Sequence, residues 1–226
     1  MKHFPNMKAL WTTGIVSVAL LSSVAVAPAG ATLIDRGAFN DGFSGSVNLI
    51  YDTDLDITWL GDANFAMTSG FDANGTMTWT TANAWAATLT VGGFNDWRLP
   101  TTTQPDATCS VQIQGQGFGV GCTGSEMGHL FNVEGITGVA PGLFNNLQGG
   151  LIYWSSTEFA PNPFFAYDFD FLFGTQRLDS GGKSSEALAW AVRSGDVAPV
   201  PEPSTMLLLG SGLVGLIGYR MKKPQG

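Results

Sequence analysis

Apolar positions recur at two periods along this chain, and the period changes with position. Val47, Leu49 and Tyr51 alternate with polar neighbours, and Ile57 and Trp59 resume the alternation beyond an acidic turn, so "SVNLIYDTDLDITWLGDANFA" predicts two short strands. Residues 32–45 before them hold no period and read as irregular. Ala82, Trp85, Ala86 and Leu89 then fall at i, i+3, i+4 and i+7, which predicts a helix over "TTANAWAATL", capped by Thr78 or Thr80 and stopped by Gly92 and Gly93. "FNDWRLP" is extended, because Pro100 keeps Leu99 out of the helical region. A second helix starts at Ser125 with Met127, Leu130 and Phe131 as its buried stripe, weakened by Gly128.

The last third returns to period two. "LIYWSS", "FFAYDFDFLF" and "ALAWAVRS" predict three strands; in the second, Phe165, Tyr167, Phe169, Phe171 and Phe173 share one face and Asp168 and Asp170 the other. With the aromatic face buried, those two carboxylates are expected to look at water, a loop or a ligand. Two short helices early and several antiparallel strands late define an α+β class, with one domain over residues 32–198.

The two ends differ from this body. Lys2 and Lys8 precede an uncharged apolar stretch that closes on Ala29, Gly30 and Ala31, the layout of a cleaved signal peptide over residues 1–31. Residues 199–226 begin "PVPEPS", continue through an apolar segment at 205–219, and finish with Arg220, Lys222 and Lys223. As a helix the apolar segment would cover about 22 Å against a hydrocarbon core of roughly 30 Å, unless its flanks contribute. Its basic border predicts a cytoplasmic C-terminus.

Charge narrows the partners. Between the ends lie only Arg36, Arg98, Arg177, Lys183 and Arg193 as cations, against every acidic residue of the chain except Glu202. A field of that sign repels a phosphate backbone, so nucleic acid is excluded as a partner, while divalent cations or neutral surfaces suit it.

Candidate chemistry is sparse. Asp52, Asp54 and Asp56 could converge on one calcium ion (Ca2+) from a tight loop, or be a solvated turn; Ile57 stands where an EF-hand loop needs glycine. His129 reads as an ordinary partly exposed histidine. Cys109 and Cys122 enclose a glycine-rich loop and are expected to form a disulfide worth on the order of 3 kcal/mol; the sharper alternative, a catalytic thiol pair, lacks the CxxC spacing. Trp97 and Arg98 in "NDWRLP" read as a structural clamp, with Arg98 needing a carboxylate or several carbonyls, and Arg193 does the same at the domain edge. Trp154 and Trp190 read as core rings whose indole N–H meets a carbonyl.

"DTDLDITWL", "TWTTANAWAATL", "NDWRLPTTTQ", "IYWSSTEF" and "LAWAVRSGD", in this order, resemble the Lcl C-terminal domain family. That resemblance implies a fold like the C-type lectins and the formylglycine-generating enzymes, and a recognition module that attaches to glycans or host surfaces. The family's glutamate-led helix usually follows "RLPT" at once; here residues 103–124 intervene and displace it to Glu126. "VPEPS", an apolar segment and "RMKK" resemble the PEP-CTERM sorting signal, with Pro201, Glu202 and Pro203 as its motif. This implies a Gram-negative exporter, an exosortase and the inner membrane as transient partners, and a destination at the cell surface, in the extracellular matrix or in the medium. The expected function is a non-enzymatic binding protein that recognises exopolysaccharide or a surface glycan. A structural matrix protein without a discrete ligand, or a carbohydrate-active enzyme with two paired carboxylates, stand as alternatives.

Overall fold

The computed structural model describes residues 33–43, 45–178 and 181–197. In chain order, the first half contains β1 (Leu33–Asn40), β2 (Ser46–Asp52), β3 (Ile57–Leu60), α1 (Phe65–Thr68), β4 (Thr76–Met77) and α2 (Trp79–Thr88). The second half contains β5 (Val111–Ile113), β6 (Gln116–Phe118), α3 (Glu126–Asn132), β7 (Ile152–Glu158), β8 (Ala166–Asp170), β9 (Thr175–Leu178), β10 (Ala187–Leu188) and β11 (Val192–Ser194). Two sheets carry the domain, a four-stranded one in the order β1-β2-β3-β11 and a five-stranded one in the order β4-β10-β7-β8-β9. Pairings are antiparallel except β10 with β7. The α+β class is therefore present, with three short α-helices among the described residues where two were expected.

Several local readings change. Residues 33–40, expected to be irregular, pair with β2, and their alternation is hidden because the register slips between Asp35 and Ala38, where Gly37 takes φ 87°. β8 is covered on both faces, so Asp168 and Asp170 are inside and do not face water. Asp168 instead accepts from Arg177 Nε at 2.8 Å across the pair with β9, and Asp170 turns the chain by accepting from Leu172 N at 2.7 Å. "ALAWAVRS" is two strands in different sheets, because Ala189–Ala191 cross from one sheet to the other.

That crossing is the centre of the core. Trp190 lies 4.7 Å from the Trp59 ring and 4.9 Å from Phe144, and it donates its indole N–H to Leu60 O at 2.7 Å. Trp154 does the same to Met77 O at 2.9 Å, so each ring buries its area without stranding its donor. Both partners are remote in sequence.

The inserted segment folds as a hairpin of β5 and β6 closed by the expected Cys109–Cys122 disulfide. It docks on β9 through reciprocal bonds between Gly119 and Gln176 (2.9 and 2.8 Å), and Phe118 stacks on Tyr167 at 5.5 Å. Arg36 donates to both carboxylate oxygens of Asp196 (2.8 and 2.5 Å). The first strand and the segment just beyond the last one are thereby held together.

Candidate functional site

Three groups of residues gather chemistry. The first is the "NDWRLP" clamp of the sequence. Trp97 is buried, with its N–H on Phe94 O at 3.2 Å. Arg98 forks onto Glu126 at 2.8 and 2.7 Å, and Glu126 also accepts from Thr101 N at 2.7 Å. A glutamate 28 positions away thus ties the start of α3 back onto the "RLPT" bend across the insertion. Arg193 grips Asp96 at 2.9 and 3.1 Å and lies 4.1 Å over Phe94.

A second group forms where the turn after β2 meets the end of α3. Asp52 Oδ1 accepts from Asp54 N (3.0 Å) and Leu55 N (3.1 Å), an arrangement in which a carboxylate organises its own turn. Its other oxygen, Oδ2, is buried with no hydrogen-bond partner. α3 delivers His129, and the turn beyond it brings Glu134 back, with Glu134 N donating to His129 O at 3.3 Å. His129 Nε2 then lies 3.9 Å from Glu134 Oε1 and 3.8 Å from Asp54 Oδ2. Nε2 and Oε1 are also buried without hydrogen-bond partners. Burial, and secondarily the charges of Asp52 and Asp54, push the Glu134 carboxyl up to about 7. Burial also raises Asp52, opposed by the Leu55 amide and by His129. Of the three predicted aspartates, Asp52 belongs to this group and Asp54 stands at its rim. Asp56 turns away and accepts from Tyr51 Oη at 2.8 Å. His129 and Glu134 were not legible as members, because the pair is brought to Asp52 by tertiary packing across 77 positions or more, with no spacing motif.

A third region surrounds the turn between β1 and β2. One hollow of about 260 Å³ is polar, lined by Asp41, Ser46, Asn48, Asp62, Thr68 and Asn145 among others. Asp41 is fixed by the amides of Phe43 (2.8 Å) and Gly45 (3.1 Å), and Asp62 by Asn64 N (2.9 Å) and Thr68 Oγ1 (2.7 Å). A second hollow of about 230 Å³ is aromatic, lined by Phe43, Phe71, Trp85 and Leu89. Phe65 of the polar hollow and Phe43 of the aromatic one pack with centroids 6.1 Å apart, so the two share a wall. Phe43 and Phe71 are 57% and 50% exposed, unusually wet for phenylalanine.

A disulfide-bonded α+β domain of two linked sheets in an acidic chain is of the class that oxidising, exported compartments favour. The chain belongs to the Lcl C-terminal domain family, which matches it over residues 48–193. Residues 199–223 match the PEP-CTERM protein-sorting motif, which marks an exported protein of Gram-negative bacteria, handled by an exosortase and ending at the cell surface or secreted. No curated protein and no solved structure matches the chain. Pro201, Glu202 and Pro203, the expected signal peptide at 1–31 and the apolar segment at 205–219 lie outside the described residues. Among the described residues no helix is long and apolar enough to cross a membrane.

Proposed function

We propose that the protein is a surface or matrix binding protein that recognises a neutral glycan at the paired hollows beside the β1–β2 turn. The observation that carries this reading is the shared wall. Fixed carboxylate and amide oxygens on one side suit sugar hydroxyls, and exposed aromatic faces on the other suit the C–H faces of a pyranose ring. The acidic body disfavours anionic polysaccharide, which leaves neutral chains. Membership of the Lcl C-terminal domain family and the exosortase signal agree with delivery to an exopolysaccharide layer. Asp41, held by two amides, and Asp62, held by the Asn64 amide and the Thr68 hydroxyl, act here as fixed acceptors, which favours binding without catalysis.

The test is a screen of neutral polysaccharides with the full chain in mild detergent, repeated with Phe43→Ala, Phe71→Ala and Asp62→Asn. Binding that weakens by about tenfold or more in each variant, at unchanged melting temperature, supports the site. A ligand bound equally well by all three would remove it, as would a screen in which nothing binds.

A further inference from the structure

We propose that Asp52, His129 and Glu134 bind one divalent first-row transition ion, with zinc the first ion to try. A ligand atom from each residue lies within 4.8 Å of the other two. Their side chains are 0%, 12% and 5% exposed. Donors around a tetrahedral zinc sit roughly 3.4 Å apart, so rotations of the order of an ångström convert the group into a coordination shell. Three buried polar atoms facing one space without hydrogen bonds leave a large desolvation cost unanswered. A dication answers all three at once, since two carboxylates and a neutral imidazole around it sum to no net charge.

The donor set selects the ion. Calcium takes oxygen ligands, usually six or more, and here one of three donors is an imidazole nitrogen. Mixed nitrogen and carboxylate donors in low number suit zinc, manganese or cobalt. Asp54, 43% exposed and 3.8 Å from His129 Nε2, stands on the open side, where it or water completes the shell. The ion would pin the turn leaving β2 to the end of α3.

A rival cluster must be kept out of the measurement. Asp106 lies with Cys109 and Cys122, whose sulfurs are locked in the disulfide and become metal ligands only on reduction. The experiment therefore uses the untagged full chain in mild detergent, stripped with chelator and never exposed to reductant. Calorimetry should show one equivalent of zinc bound, with a rise in melting temperature, and cobalt should give the visible absorption of a low-coordinate site. Asp52→Asn keeps the Oδ1 acceptor for the Asp54 and Leu55 amides, and Glu134→Gln keeps shape, so both should fold, as circular dichroism will check. Each should weaken zinc by about tenfold or more and abolish the cobalt band, whereas Asp56→Asn should leave both unchanged. Zinc binding that survives Asp52→Asn and Glu134→Gln would overturn the assignment. So would the absence of stoichiometric zinc, or displacement of zinc by equimolar calcium.

Discussion

Arg193 shows how few cations this acidic body can spare and how it uses them. Its guanidinium covers the Phe94 ring and holds both oxygens of Asp96, and that hydrogen-bonded partner lowers the Asp96 carboxyl below its ordinary range. A carboxyl depressed in the folded state contributes stability that is present above its unfolded value near 3.8 and is lost as pH falls through the folded value. Asp96 is 52% exposed, so solvent screening holds the contribution to ~0.5 kcal/mol. Asp96→Asn is accordingly expected to cost ~0.5 kcal/mol at neutral pH and nothing once pH has fallen below the folded value, which flattens the acid limb of the stability curve slightly. Urea titrations at stepped pH check this; a variant that lost more stability at low pH than the parent would contradict it. Arg98 and Glu126 are the stronger version of the same device, partly buried and bidentate.

At the level of elements, α3 sets two effects of opposite sign against each other. Propensity alone says that Gly128→Ala should stabilise a helix by about 1 kcal/mol. A Cβ at that position would, however, stand 1.9 Å from Cys122 O and 2.6 Å from Ser125 Oγ. The oxygen is backbone and sits beside the disulfide, so it cannot move away cheaply. Overpacking should win, and the substitution is expected to destabilise by roughly 2 kcal/mol, measured by chemical denaturation. A gain in stability would show that α3 is free to shift. The glycine that weakens the helix in the sequence is thus the residue that lets the helix approach the crosslinked insertion. The same element shows the limit of a capping argument: Ser125 occupies the N-cap position but its hydroxyl makes no cap bond, and Thr101 O takes the Glu126 amide instead. Thr78, by contrast, caps α2 as its sequence position suggests, accepting from Thr81 N at 3.4 Å.

For the whole molecule, local pattern was readable and pairing was not. The strands on either side of the acidic turn, the helix carrying Trp85 and the aromatic rows all follow from period and turn residues. β1 escaped because a bulge breaks its alternation, and β8 was misread because covering both faces of an interior strand places Asp168 against Arg177, a partner fixed by register. The candidate sites divide in the same way. Asp52 and Asp54 stand out within a few positions of each other, whereas His129, Glu134 and the aromatic hollow exist only once distant segments meet. The sorting motif at 199–223 belongs to this scale too. Replacing Pro201, Glu202 and Pro203 with alanine should leave an uncut product in the membrane fraction and deplete it from the surface and medium, as immunoblots of fractionated cells would show. Equal release of the altered chain would separate export from exosortase processing.

The pairing of Arg36, midway along β1, with Asp196, just beyond β11, holds the chain leaving the last strand against the first hairpin, which is roughly 25 Å long and carries the β1–β2 turn and its hollows at its tip. Anything that tugs on the chain after Val197 while a polymer grips the hollows therefore strains the sheet lengthwise. The ladder bonds run across the strands, so they share such a load together and resist in shear, where peeling would have opened them one at a time.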